Sequence, residues 1–189
     1  MAAEHCLVTG PSRGGKSEWA ETLVASIACQ GSVTYLATGM APSCSDPAWQ
    51  LRIDRHQRRR PNAWLLHELV DPLSLPGLLS AGSPLADQFV LLDSLGGWVA
   101  ALLDLGELAW QRQQHCLLHS LMERCTAVVL VAEEVGWGVV PPTAIGGLFR
   151  DRQGELVRRC ADLCSQRWLV LAGDALPLHQ LAKRVPNLD

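Results

Sequence analysis

Two stretches of this chain concentrate residues suited to phosphate chemistry. The first, Thr9 to Ser17, reads TGPSRGGKS and carries the spacing GxxxxGKS from Gly10 to Ser17. Glycines there let backbone N–H groups turn inward around phosphate oxygens. Lys16 can reach β- and γ-phosphates, and the Ser17 hydroxyl can serve Mg²⁺. The apolar run Cys6 to Thr9 precedes the turn and helical spacing follows it, so the positive end of a helix faces the same place. Strand, glycine-rich turn and helix in that order read as a P-loop. Its cradle is Gly10, Pro11, Ser12, Arg13, Gly14, Gly15, Lys16 and Ser17; Arg13 is equally suited to touching phosphate and to facing solvent.

The second stretch, Arg52 to Pro61, reads RIDRHQRRRP, with five arginines around His56 in a chain whose formal net charge is −3. Arginine favours bidentate contact with phosphate or carboxylate. The same positive field disfavours imidazolium, so it preserves an unprotonated ring nitrogen. Such a ring can attack a phosphorus centre while the guanidiniums stabilise the phosphate oxygens. The residues alone leave two readings level: a histidine nucleophile, or a plain phosphate-contacting patch.

A P-loop calls for a second Mg²⁺ partner, an acid at the end of a neighbouring strand. Asp93 follows the apolar run Phe89 to Leu92 and meets that need. Its alternative role is to cap the helix that starts near Leu95; strand position favours the metal.

These groups need a scaffold. Apolar runs at Cys6–Thr9, Val33–Ala37, Phe89–Leu92, Ala127–Ala132 and Trp168–Ala172 predict strands buried on both faces, with Trp64–Leu69 a further candidate. Helical spacing predicts helices at Ser17–Cys29, Ala48–Arg59, Leu95–Leu105, Glu107–Cys125 and Asp151–Arg167, with Pro177–Asp189 a loosely packed end. The alternation predicts an α/β, P-loop NTPase-like (RecA-like) fold with a mostly parallel sheet flanked by helices. Length and the 48% apolar share fit one domain over 1–189, with an arginine-rich helical excursion at about 47–60. The charge balance gives no footprint for nucleic acid. No apolar run is long enough for an integral membrane segment. Seven cysteines without a CxxC pair and no leader predict reduced thiols and a cytoplasmic protein.

The order GPSRGGKS, YLATG, RIDRHQRRRPNAWLLHE, VLLDSLGGWVAALL, EEVGWGVVP and FRDRQG resembles the bifunctional adenosylcobinamide kinase / adenosylcobinamide-phosphate guanylyltransferase family of cobalamin biosynthesis, from Cys6 to about Ala172. The frames RxxxHxxxRPxxW and EVGxGxVP carry the specificity. The resemblance implies two reactions. The γ-phosphoryl of ATP or GTP passes to the aminopropanol hydroxyl of adenosylcobinamide; then a histidine takes GMP from GTP and hands it to adenosylcobinamide phosphate. By resemblance His56 is the guanylylated histidine, Gly10, Gly15, Lys16 and Ser17 hold the nucleotide, Glu68 lies near it, and Asp93 is the strand-end acid. Arg52 and Arg60 belong to the histidine frame and are the preferred charge-neutralising pair. ATP and GTP are substrates, Mg²⁺ the cofactor, and the family implies a homo-oligomer.

Several positions depart from the pattern. Ala101 and Glu133 stand where it has asparagines, Gly147 where it has arginine, and Val157-Arg158 where it has an asparagine-glutamine pair. The loop Glu133 to Pro141 is expected to shape the corrinoid or nucleotide pocket, with Trp137 on the corrinoid ring. Arg150 and Asp151 are expected to pair. His5 and His67 read as surface or packing residues, and His115 with His119 as a solvated face. The apolar Leu95–Leu105 surface hints at subunit packing.

Overall fold

The computed structural model describes residues 3–39, 59–139 and 142–185. The excursion around His56, with Arg52 and the expected Ala48–Arg59 helix as far as residue 58, therefore lies outside the described residues. Among the described residues seven strands form one sheet: β1 (Cys6–Gly10), β2 (Val33–Ala37), β3 (Leu65–Glu68), β4 (Phe89–Asp93), β5 (Val128–Glu133), β6 (Gln166–Leu171) and β7 (Asp174–Pro177). Their order is β3-β2-β4-β5-β1-β6-β7. All pairings are parallel except β6 with β7. The helices are α1 (Lys16–Ala28), α2 (Leu75–Leu79), α3 (Leu95–Ala101), α4 (Glu107–Glu123), α5 (Ala144–Leu163) and α6 (Leu178–Leu181). The fold is thus α/β, a mostly parallel sheet flanked by helices.

Side chains alternate across each strand, so the strands build two cores. On one face Cys6, Val8, Tyr35, Leu91, Val129 and Val131 pack with Ala20, Leu23 and Val24 of α1. On the other, Leu7, Leu36, Leu92 and Leu130 pack with Trp98 of α3, Trp110 and Leu117 of α4 and Leu156 of α5. Burial on both faces is why these strands read as continuous apolar runs. Trp98 and Trp110 meet at 5.5 Å between ring centroids and Trp19 and Trp168 at 4.9 Å. His5 is buried; its Nε2 lies 2.7 Å from Leu121 O and its Nδ1 accepts from Val128 N at 3.0 Å, tying β1 to α4 and β5. Arg152 closes the end of α3 by donating to the carbonyls of Leu102, Leu103 and Leu105.

Four expectations need correction. Helix α5 starts at Ala144 rather than Asp151, because the Thr143 side chain caps it by accepting from Gly146 N. It stops at Leu163 because Gln166 to Leu169 pair with β1. The tail is not loose through 181. Ala172 and Gly173, with φ of 54° and 91°, turn the chain into β7, and α6 follows; two positive φ values in a two-residue link are the hairpin geometry that matches strand twist. The apolar residues of 95–102 do not make an outer face: Leu95, Trp98, Val99 and Leu102 are buried inside the chain.

Among the described residues six cysteines are free. Burial pushes the Cys6 and Cys160 thiols up to about 12, so they behave as core atoms. Among the described residues no helix is long and apolar enough to cross a membrane.

Candidate functional site

The glycine-rich turn leaves β1 at Gly10 and enters α1 at Lys16. Gly10 has φ +151°, and a Cβ there would lie 2.1 Å from Val170 O of β6. Gly14 also rests on that carbonyl, and Gly15, with φ +99°, is the residue before the helix. Only glycine fits at 10, so β6 presses the turn from beneath. Gly173 N, from the β6–β7 link, donates to Gly14 O at 3.3 Å. Lys16 and Ser17 are both more than nine-tenths buried, and the Lys16 ammonium spans the turn to donate to Pro11 O at 2.8 Å. Ser12 and Arg13 are exposed, and Arg13 adopts φ 60°.

Asp93 ends β4, but β5 lies between β4 and β1. The acid is therefore two strands from the cradle rather than on the adjacent strand. It does not cap α3: Ser94 does, accepting from Gly97 N. Asp93 Oδ2 accepts instead from Tyr35 Oη of β2 at 2.6 Å. Burial, reinforced by the Asp93 charge and hydrogen bond, pushes the Tyr35 phenol far up, so it remains a donor.

The end of the arginine-rich stretch lands on this same face. The Arg60 guanidinium carbon sits 3.3 Å from the Tyr35 ring centroid, a cation–π stack. Arg59 bridges Glu18 and Glu21 of α1, the second at 3.2 Å. Burial raises the Glu21 carboxyl while Arg59 opposes the rise. Arg59 and Arg60 thus hold two elements, the cradle helix and the Tyr35–Asp93 pair. Glu68 ends β3 beside Ala37 and is exposed.

Sequence reasoning gave no role to Tyr35, Glu134 or Val170. The Glu134 backbone N donates to Gly10 O at 2.9 Å, and its carboxylate accepts from Thr9 Oγ1 at 2.8 Å. A signal existed for it: an acidic pair closing an apolar strand belongs near other strand ends. Glu133 is engaged inside the fold, accepting from Ser94 Oγ at 2.7 Å and Gly96 N at 3.2 Å. A departure from the family pattern thus anchors the start of α3. Tyr35 and Val170 had no signal, since only strand register brings them here. Arg150 reaches Gly136 O at 3.2 Å in place of the expected pairing with Asp151. Trp137 is 58% exposed, open to a ligand rather than packed on the core.

Fold and site together define an α/β protein whose parallel strands carry a glycine-rich turn, a buried lysine and serine, and a strand-end acid. A model of the CobU family, cobinamide kinase / cobinamide phosphate guanyltransferase, matches residues 6–178, and the chain belongs to that family. It is 34% identical to the bifunctional adenosylcobalamin biosynthesis protein CobP of Pseudomonas aeruginosa, over 91% of this chain and 95% of that one. It is 33% identical to the bifunctional adenosylcobalamin biosynthesis protein CobU of Salmonella typhimurium, over 88% and 95%. Among solved structures, an unusual ATP synthase subunit, NeqB of Nanoarcheaum equitans, shares the fold at a TM-score of 0.52 and 12% identity, over 97% of this chain and 53% of that one.

Proposed function

We propose that this chain is a RecA-like P-loop enzyme that phosphorylates adenosylcobinamide and then guanylylates the phosphate. Gly10 to Ser17 hold the nucleotide, with Lys16 on the phosphates. In the first reaction the aminopropanol oxygen of adenosylcobinamide attacks the γ-phosphorus of ATP or GTP, and the nucleoside diphosphate leaves. In the second a ring nitrogen of His56 attacks the α-phosphorus of GTP, pyrophosphate leaves, and a guanylyl-histidine remains. A phosphate oxygen of adenosylcobinamide phosphate then attacks that phosphorus, and the imidazole departs with the N–P electron pair. Imidazole suits both halves because it is a good nucleophile and a good leaving group.

The observation that carries this reading is the docking of Arg59 on Glu18 and Glu21, in the first turns of the cradle helix. Arg59 is three positions after His56 in the sequence, so the arginine-rich stretch ends on the helix that begins at Lys16. Arg60 on Tyr35 adds positive charge beside the acid. Arg52 and Glu68 complete the family frame as nucleotide contacts.

Ser17 and Asp93 fit Mg²⁺ by donor chemistry: a hydroxyl and a carboxylate suit a hard cation that takes its remaining ligands from phosphate and water. An ion held there would supply neutralisation of charge on the transferring phosphates. A homo-oligomer remains the family expectation.

The test is incubation of the pure protein with α-labelled GTP, without corrinoid, followed by denaturing separation. The wild type should carry an acid-labile covalent label that His56→Ala lacks. Unlabelled wild-type protein that still binds GTP would remove the nucleophile from this proposal. Lys16→Ala should abolish γ-phosphoryl transfer to adenosylcobinamide.

A further inference from the structure

A half-open cavity of about 670 Å³ lies on the α5 face of the sheet, opposite α1. Its existence follows from α5. Arg150, Gly154, Val157, Arg158 and Ala161 are spaced three and four apart and line one side of it. Gly154 and Ala161 are too small to fill the space against β1; a Cβ added at Gly154 would meet nothing within 4 Å. Leu7, Val157, Ala161 and Leu178 line it with apolar surface, and Thr9 and Glu134 close the end next to the cradle. The hydrogen bond of Glu134 to Gly10 O makes that end continuous with the glycine-rich turn.

The polar groups decide the ligand class. Arg150, Arg158, Arg167, Lys183 and Arg184 line it together with Glu133, Glu134 and Asp151, of which Glu133 is held by Ser94 and Gly96 and Arg184 by Asp162. With the carboxylates offsetting much of that positive charge, the site does not suit a polyanion. It offers guanidinium donors to carbonyls and carboxylate acceptors to N–H groups around an apolar floor. A broad, largely apolar ring fringed with primary amides matches both requirements. The volume is in the range that takes a substantial ligand.

We propose that this cavity seats the corrinoid ring of the substrate. This rests on the function proposed above. The ring lies on the α5 face and its aminopropanol arm passes over the strand ends, past Thr9 and Glu134, to the phosphates in the cradle. Val157 and Arg158, which replace an asparagine-glutamine pair of the family pattern, both lie in this lining. They exchange an amide for an apolar contact and a second amide for a cation, so they set which corrinoid side chains are accepted.

The experiment measures three quantities for Gly154→Leu and Arg158→Glu: binding of adenosylcobinamide by equilibrium dialysis, its KM in γ-phosphoryl transfer, and labelling by α-labelled GTP without corrinoid. Leucine at 154 projects into the cavity from a position with open space around it. Both variants should weaken corrinoid binding and raise its KM at least about 10-fold, roughly 1.4 kcal/mol, with labelling within about twofold of wild type. Unchanged corrinoid binding in both overturns the proposal. If Gly154→Leu also loses the label, Arg158→Glu, at an exposed position, decides by the same measurements. Should wild-type protein take no label, the histidine step fails on its own, and the dialysis result still decides the cavity. Equal competition for the cavity by GTP, lost in Arg158→Glu, would mark a second nucleotide site and overturn the corrinoid assignment.

Discussion

Tyr35 of β2 holds Asp93 of β4 through a 2.6 Å hydrogen bond to Oδ2. The two residues are register neighbours, Asp93 pairing with Ala37 two positions beyond Tyr35, so both side chains leave the same face of the sheet. The bond leaves Oδ1 as the carboxylate oxygen not engaged by the phenol, and the phenol keeps its proton through the working pH range. This makes Tyr35 a positioning residue for the acid proposed to serve the metal.

Tyr35→Phe should therefore raise the Mg²⁺ concentration needed for half-maximal γ-phosphoryl transfer by about 3- to 10-fold, the scale of one ordinary net hydrogen bond. The KM for adenosylcobinamide should not move. A magnesium titration coincident with wild type would show that the bond serves only packing.

Arg59 connects the arginine-rich stretch to Glu18 and Glu21. Arg59→Glu should slow guanylyl-histidine formation by about 10-fold, the scale of a reacting group displaced by a fraction of its reach. It should also lower the melting temperature modestly, because the exposed Glu18 pair contributes little but the mostly buried Glu21 loses its cation and gains a like charge. Combining it with Glu18→Arg should restore part of the labelling rate. Lack of any recovery in the charge-swapped protein would argue against the docking role.

Gly10 lies against Val170 O with φ +151°. Gly10→Ala forces a carbon into the backbone of β6 and should cost more than about 3 kcal/mol, read as a large fall in the thermal midpoint. Gly154→Ala, by contrast, should leave the midpoint unchanged or slightly raised, since alanine is the better helix former and its Cβ meets open space.

His5 supplies a pH dependence. Burial lowers its pKa from 6.5 in the folded state, although the Leu121 carbonyl opposes the shift. The unfolded chain therefore binds more protons below about 6.5. Stability contributed by neutral His5 is complete above that pH and is lost as pH falls toward the depressed folded value. Thermal midpoints measured between pH 7.5 and 5 should fall with acidification, and the fall should be shallower in His5→Gln. Parallel curves for the two proteins would assign the acid sensitivity elsewhere.

The amino-acid order alone determined what is local and repetitive. Continuous β-forming runs identify the buried strands because both faces of a parallel sheet are covered. The spacing of Gly10, Gly15, Lys16 and Ser17 marks the turn proposed to cradle phosphate, because binding by backbone amides calls for that spacing within one short segment. Asp93 was legible as a strand-end acid, and Glu134 was nearly so. The excursion around His56 rests on its motif, outside the described residues.

Tertiary structure decided what depends on residues far apart in the chain. Strand order put β5 between the cradle and Asp93, and register joined Tyr35 to that acid across 58 positions. The second-half elements were misread at their ends: the Thr143 cap extends α5 backward, and the pairing demand of β1 ends it early. Of the cavity beside α5, the sequence pointed to the Glu133–Gly136 rim through the loop expected to shape a pocket, but not to the α5 wall. A glycine in a helix says only that bulk is missing; which surface lies opposite the gap is set by packing, and packing is a property of the folded chain.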